Sequence, residues 1–192
     1  MSPSAEDALQ KLMAGNRRYT TGISTHPHQT SAYRQTFAKT QNPFATILTC
    51  SDSRVPPTVI FDQGLGDLFV VRVAGNIVGD LALGSIEYAV EHLDTKLIVV
   101  LGHSRCGAVT AALENVDTSG HLHVLVEAIK PAVEAVRGQP GDPLDNAIRA
   151  NVHRVVEQIQ TADPILSERV QSGQVKIIGA HYDLDSGAVE CL

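Results

Sequence analysis

The sequence predicts an α/β fold: a mainly parallel central β-sheet flanked by helices on both faces, with a short antiparallel edge strand at the C-terminus. Three observations predict it. The apolar runs Phe44–Thr49, Leu68–Val73 and Leu97–Leu101 are short, rich in β-branched residues and without regular polar alternation, as strands buried on both faces are. Helically patterned segments separate them, the order that builds a covered parallel sheet. The chain has 192 residues, 43% of them hydrophobic and 19% charged, which suits one globular domain with a substantial core.

The elements follow in order. A first helix starts near Ser4, with Asp7 placed as in a capping box, and Leu9, Leu12, Met13 and Tyr19 recur at helical spacing. Thr20 to Thr30, holding Gly22, Pro27 and two histidines, reads as a loop, and a second short helix covers Ser31 to Lys39. Leu81–Leu93 and Ala108–Leu113 supply crossover helices between the strands. Asp142-Pro143 marks a helix start, with Asp at the N-cap and Pro in the first turn. Ile148, Val152, Val155, Val156 and Ile159 form its apolar stripe. Asp163-Pro164 restarts a helix that Gly173 ends, Val175–Ala180 is a further strand, and Asp185-Ser186-Gly187 turns the chain into the final strand. No internal repeat or low-complexity tract divides the chain, so residues 1–192 are expected to form one unit.

Composition removes several function classes. The formal charge of −6 argues against a nucleic-acid surface and against an anionic membrane face. No apolar run approaches the roughly 18 to 20 residues of a membrane span. The opening residues lack the basic and apolar regions of a secretory leader, so the expected compartment is the cytoplasm. Three cysteines make no disulfide framework, and two of them sit in tight polar motifs while Cys191 is a passenger near the end.

Those two motifs carry the chemistry. Cys50-Ser51-Asp52-Ser53-Arg54 directly follows the run Phe44–Thr49, and His103-Ser104-Arg105-Cys106-Gly107 follows Leu97–Leu101. Both lie at carboxyl ends of parallel strands, where ligand crevices form in open α/β sheets. If the two strands are neighbours, Cys50, His103 and Cys106 converge. Two thiolates and an imidazole favour zinc over magnesium or calcium. Three protein ligands leave a fourth position open, the pattern of a catalytic zinc. Cys106 also precedes a helix start, whose N-terminus helps hold a thiolate. Asp52 has two readings: it takes the fourth metal position and closes the site, or it pairs with Arg54 and orients a water. His26, His28, His121 and His123 lie in polar, loop-like stretches, where a histidine can shuttle protons, although most surface histidines do not.

At these residues the chain resembles the β-class carbonic anhydrases. Cys50 to Pro56 and Gly102 to Ala108 match both zinc motifs of that family. The likeness continues through Gly15-Asn16-Arg17-Arg18-Tyr19, Gly66 to Arg72, Gly84 to Val90 and Tyr182-Asp183-Leu184-Asp185, nearly the whole chain. The resemblance implies one Zn²⁺ per chain held by Cys50, His103 and Cys106, with Asp52 a ligand only in a closed site. It implies that Asp52 and Arg54 form the catalytic dyad in zinc-dependent, reversible hydration of carbon dioxide to bicarbonate and a proton. It assigns substrate binding to Gln41, Phe69, Ala74, Tyr88 and Gly107, with Gln41, Phe69 and Tyr88 supplied across a dimer interface. By periodicity alone, Phe69 and Tyr88 would be core residues and Gln41 a polar loop residue. It further implies a homodimer or homotetramer in which the helical arm, residues 1–40, packs on a partner subunit.

Two departures from the family pattern stand out. Val73 follows Arg72 where many members carry Asn, and Ile47 stands where the bicarbonate-regulated members carry Trp. The second predicts an open site with Asp52 off the metal. Two alternatives stay open on sequence: hydrolysis of carbon disulfide or carbonyl sulfide at the same zinc, and a non-catalytic zinc-stabilised interaction domain.

Overall fold

Five strands form one sheet in the order β2-β1-β3-β4-β5 in the computed structural model, which describes residues 2–192. They are β1 (Ala45–Thr49), β2 (Leu68–Arg72), β3 (Leu97–His103), β4 (Lys176–Tyr182) and β5 (Val189–Cys191). The first four run parallel and β5 is antiparallel to β4, as the sequence predicts. In the register, Ile47 of β1 stands opposite Val70 of β2 and Val99 of β3. Every residue of β1 and β3 is buried, which is why their apolar runs are unbroken.

Alternate strand residues divide between two helical layers. Ala45, Ile47, Leu97, Val99 and Leu101 pack with Ala8 and Leu12 of α1 (Ala5–Thr20) and with Ile60 of α3 (Pro57–Ile60). Between these two helices, α2 (Ser31–Thr36) buries no side chain. On the opposite face, Leu48, Ile98, Val100 and Ile177 meet Ile86 of α4 (Asp80–Leu93), Val152 and Val155 of α7 (Pro143–Gln160) and Leu166 of α8 (Ile165–Gln171). A third cluster gathers where β1 and β3 end. There Cys50 and Cys106 join Val109 of α5 (Gly107–Leu113), Ile129 of α6 (His121–Ala135) and Ile148 of α7.

Caps start the helices where the sequence places them. Ser4 Oγ accepts the Asp7 amide at 3.1 Å, and Asp142 Oδ1 accepts those of Leu144 and Asp145 at 2.7 and 3.0 Å, each cap contributing about 1 kcal/mol. At the far end of the chain, Gly187 turns with φ of 74° and feeds β5 back along β4. Helix α7 lies close against the sheet because two strand residues lack side chains. A Cβ on Gly102 would stand 2.5 Å from Val152 Cγ2, and one on Gly179 2.8 Å from Val152 Cγ1.

The structure corrects the sequence reading in several places. Strand β3 runs to His103 rather than Leu101, so the first residue of the second motif belongs to the strand. Helix α2 stops at Thr36, short of Lys39. Helix α6 was not expected, and it places His121 and His123 in a helical first turn instead of a loop. Its opening residues alternate polar and apolar and Pro131 stands inside it, which together mask the helical period. Tyr88, a core residue by periodicity, is 46% exposed on α4. Among the described residues, no helix is long and apolar enough to cross a membrane.

Candidate metal centre

Sheet order decides where chemistry collects. Strand β1 leads to β2 on one side of itself, whereas its other neighbour β3 leads to β4 on the opposite side. The connections leaving β1 and β3 therefore part, and a crevice opens at their carboxyl ends. Cys50 is the first residue after β1, His103 the last of β3, and Cys106 the N-cap of α5.

These three side chains are buried and their ligating atoms lie within 4.8 Å of one another. The two sulfurs are 3.9 Å apart. A tetrahedral zinc with Zn–S distances of about 2.3 Å separates two thiolates by about 3.8 Å, so the pair already has the needed span. The imidazole is oriented as well. His103 Nδ1 lies 3.0 Å from the Ser104 carbonyl. Since a carbonyl only accepts, Nδ1 carries the proton and Nε2 the lone pair. That Nε2 is buried with no hydrogen-bond partner, a costly arrangement for a polar atom unless a ligand completes it. Donor chemistry, span and the orphaned nitrogen all fit zinc.

Electrostatics prepare the sulfurs. The hydrogen bond from Cys106 is the chief influence lowering the Cys50 thiol, to about 4, against its burial and with help from the Gly75 amide. The same bond, together with burial, pushes the Cys106 thiol up. One sulfur of the pair is thus poised as thiolate. The Gly75 N–H donates to Cys50 Sγ at 3.3 Å.

Asp52 and Arg54 sit at the mouth. The Arg54 guanidinium grips the carboxylate at both oxygens, with Nε to Oδ1 at 3.0 Å and Nη2 to Oδ2 at 2.7 Å, and the Arg54 amide adds a bond to Oδ1 at 2.9 Å. Those Arg54 contacts hold the Asp52 carboxyl down to about 2, overcoming partial burial. Asp52 Oδ2 is also 4.0 Å from His103 Nε2.

Supporting residues escaped the sequence reading. Arg72 at the end of β2 donates to the Cys50 carbonyl at 3.0 Å and the Asp52 carbonyl at 2.6 Å, fixing the loop between them. Arg105 forms a two-pronged pair with Asp185 at 2.7 and 2.9 Å, and Ser104 Oγ accepts the Leu184 amide at 2.9 Å. The second motif is thereby tied to the turn before β5. Nothing in the residue types alone announces these pairings.

The expected substrate residues fall into two groups. Ala74 precedes Gly75, whose amide meets Cys50 Sγ, and Gly107 follows Cys106 as the first residue of α5. Gln41 and Tyr88 instead line one exposed cleft of about 500 Å³ with Phe37 and Leu93. Phe69 and Tyr88 rings lie 6.1 Å apart. No metal ligand lines that cleft.

A doubly covered, mainly parallel sheet with two cysteine sulfurs and one imidazole at its switch point defines a metalloprotein of the catalytic zinc type. The sequence profile of the carbonic anhydrase family matches residues 45–189, and the chain belongs to that family, in its β class. The family's reaction is the reversible hydration of carbon dioxide. Carbonic anhydrase 2 of Mycobacterium tuberculosis is 42% identical over 184 residues, covering 94% of this chain and 89% of that one. The carbonic anhydrase of Mycolicibacterium smegmatis is 39% identical over 187 residues, covering 95% and 91%. Among solved structures, a Coccomyxa β-carbonic anhydrase in complex with acetazolamide has a TM-score of 0.76 at 30% identity, covering 96% of this chain and 86% of that one. One of two tetrameric β-carbonic anhydrases from Sordaria macrospora also scores 0.76, at 26% identity and 97% coverage of each chain.

Proposed function

We propose that this chain hydrates carbon dioxide at an open zinc centre held by Cys50, His103 and Cys106, with Asp52 kept off the metal by Arg54. One observation carries the reading: His103 Nε2 is buried without a partner, while both oxygens of nearby Asp52 are already engaged by Arg54. Zinc, when bound, supplies the Lewis acidity that makes a water nucleophilic near neutral pH.

The chain's own residues do the positioning. Asp52, ionised and acceptor-only, takes the O–H of a water and aims its oxygen, and Arg54 keeps that carboxylate charged and in place. Arg72 holds the loop carrying Cys50 and Asp52. Ala74 and Gly107 bound the substrate space from the metal side. Gln41 donates its amide to a substrate oxygen, with Phe69 and Tyr88 as apolar walls, all three delivered by a partner copy. Their grouping away from the ligands within one chain supports that delivery.

The assembly is a homodimer or homotetramer, and the Sordaria macrospora relatives are tetrameric. Residues 1–192 act as one unit, with the arm of residues 1–40 packing on a partner; α2, which has no fully buried residue, supports this. Cytoplasmic placement accords with three free cysteines.

Zinc content and stopped-flow hydration of carbon dioxide, on the native chain and Cys106→Ser, test the reading. One zinc per chain and fast hydration, both lost in the variant, are expected. Zinc without hydration overturns the substrate and directs the assay to carbonyl sulfide and carbon disulfide, and absent zinc overturns the centre itself.

A further inference from the structure

One polar residue interrupts the apolar face of α7. Asn151 follows Ile148 by three positions and precedes Val155 by four, so helical geometry sends it into the core with them. It is 1% exposed. A buried amide is costly unless it is hydrogen-bonded; the Asn151 Oδ1 has no partner, and its Nδ2 is spent on one target, the Gly75 carbonyl at 2.8 Å.

Gly75 is the residue whose amide donates to Cys50 Sγ at 3.3 Å. It occupies the left-handed region, with φ of 73° and ψ of 15°, in the 3-10 turn Ala74–Asn76. A side chain there is excluded, since a Cβ would stand 2.6 Å from Ile129 Cδ1. Glycine in that region is otherwise free to leave it, because without a Cβ many backbone conformations lie close in energy. Its carbonyl is held by α7 and its N–H points at the sulfur, so the residue is fixed from both ends.

We propose that Asn151 is a positioning residue for the metal centre. By gripping the Gly75 carbonyl it locks the left-handed turn that aims the Gly75 N–H at Cys50 Sγ, and so fixes the hydrogen bond that orients this zinc-ligating sulfur. The inference rests on Cys50, His103 and Cys106 as the zinc ligands. It adds a residue 76 positions from Gly75 in sequence to the machinery that sets the donor strength of one of them. Hydrogen bonds of this outer kind typically govern metal affinity by 10- to 100-fold.

The test compares the full chain with Asn151→Leu, Asn151→Asp and Val155→Ala. Asp keeps the volume of Asn but turns an acceptor toward the carbonyl. Val155→Ala loosens the same buried face of α7 without touching Gly75. Two quantities are read on each: the zinc dissociation constant by chelator competition, and the thiolate-to-cobalt charge-transfer absorption of the Co²⁺-substituted chain. Both Asn151 variants are expected to weaken zinc binding by roughly 10- to 100-fold and to shift the charge-transfer band, while Val155→Ala keeps both near native. If the Leu variant does not fold, the Asp variant decides on the same two scales; if neither variant folds, Asn151 is a structural core residue and the proposal falls. Asn151 variants within twofold of native affinity with an unmoved band overturn it. So does a Val155→Ala loss as large as theirs. A native chain that takes up no zinc overturns the ligand assignment and this inference together.

Discussion

Gly102→Ala probes how α7 seats on the sheet beneath the metal ligands. The added Cβ falls 2.5 Å from Val152 Cγ2 and 3.4 Å from Ile148 Cγ2. Both side chains are on α7 and at most 2% exposed, so neither can swing into solvent. Close-packed interiors yield little at such a distance, and either Val152 leaves its rotamer or the helix shifts. Overpacking of this kind costs about 1–3 kcal/mol, and a 2.5 Å approach puts the expected cost near the upper end, about 3 kcal/mol.

Val152→Ala alone removes two buried methyl groups, about 0.8 kcal/mol each in transfer, and leaves a cavity, for about 2–3 kcal/mol in all. In the double variant the new methyl enters the space that Val152 vacates. The two costs therefore fail to add, and the double variant should be about 2 kcal/mol more stable than their sum. Denaturant unfolding of the four zinc-loaded members of the cycle measures this term directly. Additivity within about 0.5 kcal/mol would refute the contact. Since His103 follows Gly102 in β3, zinc affinity should fall in Gly102→Ala and recover in the double variant.

Three further outcomes are expected. Arg54→Ala should lower hydration by roughly 10- to 100-fold with zinc content intact, and near-native turnover would exclude Arg54 from the dyad. Asp62→Ala should cost about 2–4 kcal/mol, because its buried carboxylate receives the Thr25 and His26 amides, the Thr25 hydroxyl and the Arg18 guanidinium. Burial works to raise the Asp62 pKa, but those donors bring it down to about 2. Its stabilisation is therefore present above the unfolded value of about 4 and lost as pH falls toward 2. The native chain should lose stability over that window relative to Asp62→Ala, and parallel acid limbs would count against this. Hydration should climb from neutral to alkaline pH, because two thiolates offset the charge of Zn²⁺ and leave its water less acidic than three neutral histidines would. A rate flat from about pH 6 to 9 contradicts that account.

Much of the molecule was legible before any coordinates. Strands β1 and β3 carry unbroken apolar runs because both their faces are covered, and a residue with no solvent side has no reason to be polar. Ser4 and Asp142 announce their helices because a cap is a contact within one turn of chain. The centre was legible too, since Cys50 and His103-x-x-Cys106 each stand at the end of a strand. Gln41, Phe69 and Tyr88 entered only through family resemblance; one chain offers no physical reason to group them with the metal.

What escaped the sequence depends on contacts across long stretches of chain. The meeting of Cys50 and Cys106, 56 residues apart, follows from β1 and β3 being neighbours, which strand order decides and no local pattern states. Helix α6 was hidden by its alternating start and Pro131, and only its burial against α5 and α7 makes it a helix worth forming. Asn151 carries no signal in the sequence, and its role exists only because the fold sets the Gly75 carbonyl against it. Period, caps and motif spacing are written locally because the forces behind them act within a few residues. The partner that a buried polar group meets is chosen by packing, so it exists only once the whole chain has closed around it.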